Sequence, residues 1–175
     1  MADLVARYRP PAFRPRRPFP ALVESIVGQQ ISISAADSIM ARLKAATPID
    51  PESLAKADPR KLRRAGLSRS KALYVRELSK FAADGGLRGL SRLEDQQIVE
   101  RLTAVKGIGV WTAEMFLMFS LERPDVWPIG DGGIQRALVK LFNAKTPKQM
   151  MEIGERYRPV RSHAAWYLWR SLHNG

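Results

Sequence analysis

The sequence predicts an all-α fold, and three observations predict it. Apolar residues recur at spacings of three and four along most of the chain. Capping residues stand just before those stretches, and no segment sustains the two-residue alternation that would force a strand. The elements follow in order. Residues 1–18 carry Arg7, Pro10, Pro11, Arg14, Pro15, Arg16 and Arg17, and read as an extended Arg/Pro-rich lead-in. From residue 19 to 175 a single helical domain is expected. Leu22, Ile26 and Val27 predict its first helix, and Ile39, Met40 and Leu43 the next. Asp50-Pro51 and Asp58-Pro59 each set a capping oxygen before a proline at the first helical position, so two further helices start there. Gly66 reads as a helix exit.

Leu73, Leu78 and Phe81 predict the next helix, closed by the loop glycines Gly85, Gly86 and Gly89. Ser91 with Glu94 has capping-box spacing ahead of Ile98, Leu102 and Val105. Ile134, Leu138, Leu141 and Phe142 mark a later helix, and Thr146 with Gln149 repeats the capping-box spacing beyond it. No internal repeat is present, and short helices with short connections imply a compact helical domain.

Composition excludes several function classes. There are no cysteines among the 175 residues, so disulfides, a thiol nucleophile, cysteine-ligated zinc and iron–sulfur clusters are ruled out. The two histidines, His163 and His173, stand near the end of the chain and make a histidine metal site a poor expectation. No apolar run approaches the roughly 20 residues needed to span a bilayer, and the N-terminus lacks the apolar stretch of a signal peptide. A cytoplasmic, nucleoid-associated monomer is expected, with no membrane partner. Twenty-nine Lys+Arg against seventeen Asp+Glu give a formal net charge of +12, an excess that favours a polyanionic partner. Nucleic acid is the commonest such partner; a merely basic soluble protein, or one touching anionic lipid, are the alternatives.

The most informative segment runs from Leu102 to Phe119. A helix ends near Val105, Lys106-Gly107-Ile108-Gly109 forms a tight turn, and a second helix starts at about Val110. Two glycines allow positive φ and close approach of the backbone to a ligand. The second helix directs its free N–H groups and positive dipole end outward, a ready phosphate site to which Lys106 adds a cation. A plain helix–helix corner would need only the glycines. Further on, Asp131 in Pro128-Ile-Gly-Asp-Gly-Gly-Ile134 directly precedes a helix. It reads as an N-cap, and the same helix N-terminus favours an anion there.

Lys106-Gly-Ile-Gly-Val-Trp-Thr-Ala113 resembles the helix-hairpin-helix of the DNA glycosylase superfamily with a Gly/Pro-rich loop and an aspartate. Within it, the chain is similar to the DNA-3-methyladenine glycosylase II family. Ile26-Val-Gly-Gln-Gln-Ile-Ser32 resembles that family's early helix end, and Leu62-Arg-Arg-Ala-Gly-Leu-Ser-Arg-Ser-Lys71 its middle loop. Pro128-Ile-Gly-Asp131 resembles its catalytic loop, and Tyr157–Trp169 its C-terminal helix. Five matches in the family's order are far more specific than any one.

The resemblance implies a two-lobed fold with a DNA-facing cleft between lobes, a hairpin over 102–119 and a catalytic loop over 128–133. The chain begins close to the early-helix motif, so the mixed α/β N-terminal domain of larger members is not expected. The implied function is monofunctional hydrolysis of the N-glycosidic bond of alkylated purines in double-stranded DNA, as part of base excision repair. Asp131 is then the catalytic carboxylate, stabilising positive charge that builds on the sugar, with Gly132 and Gly133 leaving space for the nucleotide. Members that also cut the strand carry a lysine nucleophile where Trp111 stands here, so no lyase activity is expected.

The resemblance assigns the base pocket to Trp111, Met115 and Trp169, where the electron-rich rings of the two tryptophans would favour cationic alkylpurines by roughly 0.5–2 kcal/mol per contact. Core packing is the alternative for any tryptophan at helical spacing, Trp166 above all. Met115 stands where some relatives have an aromatic residue. It assigns the wedge that fills the gap left by a flipped base to Gln30, with Ile31 beside it, whereas Gln29 and Gln30 read locally as a helix C-cap. Lys106, Gly107, Ile108 and Gly109 would grip DNA, and Arg158 and Arg161 would either pair with phosphate or brace the Asp131 loop. Ser68, Arg69, Ser70 and Lys71 would grip the backbone or stand as solvated loop charge. No cofactor is required; a structural Na⁺ or K⁺ on the backbone carbonyls of Thr103, Val105 and Ile108 is implied. A glycosylase for deaminated or mismatched bases, or a non-catalytic helix-hairpin-helix module, are the competing readings.

Overall fold

A computed structural model of the chain describes residues 1–9 and 13–172. Eleven α-helices are found among the described residues, and no strand: α1 (Ala2–Arg7), α2 (Pro18–Gly28), α3 (Ile33–Ala46), α4 (Pro51–Lys56), α5 (Pro59–Arg64), α6 (Arg69–Ala83), α7 (Asp95–Thr103), α8 (Val110–Phe119), α9 (Gly132–Phe142), α10 (Pro147–Glu155) and α11 (Arg161–Leu172). The all-α expectation holds because the cap chemistry is where the sequence set it. Asp50 accepts the Ser53 amide at 2.8 Å and Asp58 the Arg60 amide at 2.8 Å, each with proline opening the helix. Thr146 and Gln149 form the expected capping box at α10.

Two expectations shift. Ser91 lies in a 3₁₀ turn, Leu90–Arg92, and the cap of α7 falls three residues later, at Glu94, whose amide donates to Gln97 Oε1 at 3.1 Å. The lead-in over 1–18 is not extended throughout. Residues 2–7 form α1, which buries Leu4, and α2 already begins at Pro18. An apolar residue among helix formers gives this short segment a face to bury, whereas residues 13–17 have no regular structure. Pro10, Pro11 and His173 lie outside the described residues.

The chain divides into two compact units, Arg16–Phe116 and Met1–Pro15 with Leu117–Gly175. In the first, α2 packs on α3 and α6, and α4 and α5 also pack on α6. Leu22, Ile26, Leu43, Leu54, Leu62, Val75, Leu78, Ile98 and Leu102 are fully buried there, each side chain contributing roughly 1.5–3 kcal/mol. In the second, α9 and α11 pack together around Ile134, Ala137, Leu138, Ala165 and Leu168, with α1 on α11. Leu73 and Leu141, both on expected apolar stripes, are exposed. Ala72, Val75 and Leu78 form the inner face of α6, and Leu141 lies beyond the buried Ile134–Leu138 turns of α9.

Candidate active site and DNA interface

The hairpin forms as the glycines require. α7 ends at Thr103, residues 104–109 turn, and α8 begins at Val110. The two glycines do different work. Gly107 has φ +95°, and a Cβ there would lie 2.2 Å from the Tyr74 ring, so both backbone conformation and packing demand glycine. Gly109 has no atom within 4 Å of a would-be Cβ; its open face looks onto solvent at the mouth of α8. Lys106 is exposed, whereas the Ile108 side chain is buried, leaving only the backbone of Ile108 for a ligand. Trp111 and Met115, four residues apart, share one face of α8; Trp111 is 42% exposed and Met115 half-buried.

The early helix end lies against this turn. The Gln29 side-chain amide donates to the Gly107 carbonyl at 3.0 Å. Gln30 is exposed and holds φ +58°, uncommon for a non-glycine residue, and Ile31 beside it is also exposed. The middle-loop cation Lys71 is not free for phosphate: its ammonium donates to the carbonyls of Val27 at 2.7 Å and Gln29 at 2.6 Å. It thereby caps the negative end of α2, and its partial burial lowers its pKa from the ordinary lysine value. Gln29, Gln30, Ile31, Lys71, Gly107 and Gly109 line a hollow of about 590 Å³.

In the other unit, Asp131 is the N-cap of α9. Its Oδ1 accepts the Ile134 amide at 2.8 Å and, from 38 residues away, the Trp169 indole N–H at 2.8 Å. The Phe119 ring stacks at a tilt on Trp169, centroids 6.0 Å apart. Gly133 does not leave open space as expected: a Cβ there would press within 2.9 Å of both Asp131 Oδ1 and Trp169, so glycine is what lets the indole reach the carboxylate. At Gly132 a Cβ would meet only the far end of Arg136. Trp166, set aside as a packing residue, is half-buried, and the Arg170 guanidinium lies 5.6 Å from its ring centre.

The segment leading into the Asp131 loop is tied down by Arg158 and Arg161 through an acid that sequence reasoning missed. The Asp125 carboxylate receives three hydrogen bonds from Arg161, Nε at 2.7 Å, Nη2 at 3.0 Å and the backbone amide at 3.4 Å, and one from Arg158 at 3.0 Å. Arg161 also binds the Asp125 carbonyl at 2.9 Å and Glu155 at 3.1 Å, and its side chain is only 11% exposed. Of the two roles expected for Arg161, it therefore fills the brace and has no guanidinium edge left over for phosphate; Arg158 pairs with the same acids. Burial alone would raise the Asp125 carboxyl, but the hydrogen bonds and charge of Arg161, with Arg158, hold it below the ordinary carboxylate value. Ser162 completes the brace, its hydroxyl donating to Arg123 O at 2.6 Å and accepting the Val126 amide at 3.0 Å. Gln135 Nε2 donates to Ile129 O at 2.8 Å, fastening the loop itself. Of these partners only Glu155 and Ser162 stand near the Arg-Pro-Val-Arg unit in the sequence; Asp125 lies 33–36 positions away and left no local signal.

Among the described residues no group of three or more His, Cys, Asp or Glu is placed to hold a metal, and no helix is long and apolar enough to cross a membrane.

Comparison with known proteins agrees with this geometry. Residues 23–159 match the family model for the HhH-GPD superfamily of base excision DNA repair proteins. DNA-3-methyladenine glycosylase 1 of Schizosaccharomyces pombe is 32% identical over 98% of this chain and 80% of its own length. The putative DNA-3-methyladenine glycosylase YfjP of Bacillus subtilis is 36% identical over 70% of this chain, which spans 44% of that longer relative. The crystal structure of a DNA-3-methyladenine glycosidase from Bacillus halodurans superposes with a TM-score of 0.85 at 38% identity, covering 94% of this chain and 80% of that one. A 3-methyladenine DNA glycosylase from Schizosaccharomyces pombe, solved with abasic DNA, gives 0.85 at 32% identity, covering 98% and 89%. A glycine-turned hairpin, an aspartate capping the helix after a Pro/Gly loop, and these similarities together establish that the chain belongs to the HhH-GPD superfamily of base excision DNA repair proteins, and within it to the DNA-3-methyladenine glycosylases.

Proposed function

We propose that this chain is a monofunctional glycosylase that hydrolyses the N-glycosidic bond of alkylated purines, of the 3-methyladenine and 7-methylguanine type, in double-stranded DNA. The observation that carries the reading is the Asp131 carboxylate, held by two N–H donors on one oxygen within the Pro128–Gly133 loop. A carboxylate fixed in this way is pre-organised for a transition state in which positive charge builds on the sugar. As the bond from C1′ to the base nitrogen breaks, the electron pair leaves with the base, which loses its positive charge. Water adds to C1′, and Asp131 orients it and takes up its proton. Trp169 is a positioning residue for the carboxylate through its N–H, and its ring offers a face to a cationic base.

Trp111 stands where strand-cutting members carry an amine, so the product is an abasic site in an intact strand. Gln30 fills the gap left in the stack, supported by its exposure and by the turn that projects it. The backbone of residues 106–109 and the Lys106 ammonium hold phosphate at the N-terminus of α8. The carbonyls of Thr103, Val105 and Ile108 are the groups that would hold a monovalent cation bridging to phosphate. They fit that role in one respect: the Val105 carbonyl accepts the Ile108 amide at 3.0 Å and, like any carbonyl, has a second lone pair.

The test is excision of 3-methyladenine and 7-methylguanine from methylated duplex DNA, wild type beside Asp131→Asn. The expected result is abasic sites from wild type, strands intact until alkali is added, and a loss of about 10²–10³-fold in the variant with DNA affinity retained. Release of neither base by wild type would discard the substrate class, and release of deaminated or mismatched bases instead would replace it. Equal activity in the variant would remove Asp131 from the chemistry.

A further inference from the structure

The cations of this chain fall into two groups. Arg158 and Arg161 are paired with Asp125 and Glu155, Lys80 with Glu77, and Arg16 with Glu24, while Lys71 is spent on the end of α2. Arg63, Arg69, Arg76 and Lys106 have no side-chain hydrogen bond or ion pair among the described residues, and all four line one groove of about 730 Å³. Arg63 is on α5, Arg69 and Arg76 are on α6, and Lys106 belongs to the hairpin turn. No acidic residue lines this groove; the other lining residues are polar or apolar, among them Ser68, Ser70, Tyr74 and the exposed Leu73.

Arg76 adds an independent observation. It is half-buried, and its Nε is buried without any hydrogen-bond partner. A guanidinium nitrogen buried without a partner, with three like-charged side chains lining the same groove, is an arrangement that costs free energy in isolation. An anion in the groove offsets that cost, and a chain of phosphates offsets it at several points together.

We propose that this groove binds the phosphodiester backbone of duplex DNA, through Arg63, Arg69 and Arg76, as a continuation of the grip that begins at Lys106. This rests on the DNA-binding part of the function proposed above, not on which base is excised. The site carries no sequence information, because its donors meet phosphate and not base edges. It raises affinity for damaged and undamaged duplex alike and makes that affinity more sensitive to salt. Each phosphate contact contributes about 0.9 to the slope of log K against log salt concentration.

The experiment measures that slope for an undamaged duplex with three proteins. One is wild type. One carries Arg63→Gln, Arg69→Gln and Arg76→Gln. The third carries Arg92→Gln, Lys140→Gln and Lys148→Gln, three exposed cations outside the groove that give the same change in net charge. The groove variant is expected to lose roughly 2–3 from the magnitude of the slope and the control less than about 0.5. Equal losses in both variants would overturn the proposal in favour of net charge, and no loss in either would overturn it outright. The double variant Arg63→Gln/Arg69→Gln leaves the half-buried Arg76 in place, so a folding defect at that position does not decide the outcome; its expected loss is about 2. Excision of alkylpurines by wild type, assayed on the same preparation, reports separately on the function proposed above.

Discussion

The hairpin side of the molecule and the Asp131 side handle charge in opposite ways. Around the hairpin, Lys106, Arg63 and Arg69 are exposed without partners, and the open face of Gly109 leaves backbone accessible. In the segment leading into the Asp131 loop, Arg158 and Arg161 are consumed by acids of the protein itself, and the Asp131 carboxylate is fixed by an amide and an indole. A surface that grips a polyanion needs charge that water and counterions can leave. A site that must hold one carboxylate in place needs that carboxylate's surroundings to be rigid. Variants on the first side should therefore change affinity and its salt dependence, and variants on the second should change turnover or stability.

The largest effect short of the Asp131 variant is expected within the hairpin itself. Gly107→Ala forces a methyl into the Tyr74 ring at a positive φ, and should cost about 2–4 kcal/mol. That would appear as a fall in Tm of roughly 5–15 °C by calorimetry. Gly109→Ala meets no atom of the protein, so its Tm should stay within about 1 °C while DNA affinity falls, because the methyl occupies the approach to α8. Equal thermal behaviour of the two would break the distinction between a glycine the fold needs and one the ligand needs.

Arg161→Ala comes next. It strips a partly buried Asp125 of its main partner and should cost about 2–3 kcal/mol, read as a shift of the urea midpoint. The sign of the pH dependence follows from the lowered Asp125 pKa. The paired carboxylate contributes stability that is fully present above its unfolded value near 3.8 and is lost as pH falls through its lower folded value. Asp125→Asn should accordingly flatten the acid limb of the stability profile below about pH 4; an unchanged limb would assign acid sensitivity to other carboxyls.

Trp169→Phe keeps an aromatic ring and removes the N–H to Asp131. The loss of a hydrogen bond to a charged group, about 1.5 kcal/mol, predicts a turnover some tenfold slower with DNA affinity unchanged. A drop in affinity without a drop in single-turnover rate would reassign Trp169 to binding alone. The smallest effect sharpens the comparison from the other direction. Lys71 stands among the middle-loop residues but is bound internally, so Lys71→Met should leave the salt slope of DNA binding unchanged to within about 0.3, against about 0.9 for a true phosphate contact.

Much of the fold was legible because its signals are local. The Asp50, Asp58 and Thr146 caps, the Gly107 turn and the Asp131 cap each depend on residues within four positions, and each forms as read. Where two acceptors compete within one turn, as Ser91 and Glu94 do, locality alone misplaced the helix start by three residues. The family's motifs located the hairpin and the aspartate for the same reason, since each is a contiguous run. Asp125 as the partner of the Arg161 brace, the Trp169 bond to Asp131 and the Lys71 cap on α2 were not legible. They join residues 36, 38 and 42–44 positions apart.

By itself, then, the sequence determined the helical class, the helix ends at Asp50, Asp58 and Thr146, the hairpin turn and the position of an anion at the start of α9, all governed by backbone conformation and hydrogen bonds within a turn. Which arginines and lysines remain available to a ligand, and why Gly133 must be glycine, only the tertiary structure decided. A side chain's charge is neutralised by whatever the fold brings within about 3 Å of it, and that neighbour is set by packing rather than by position along the chain.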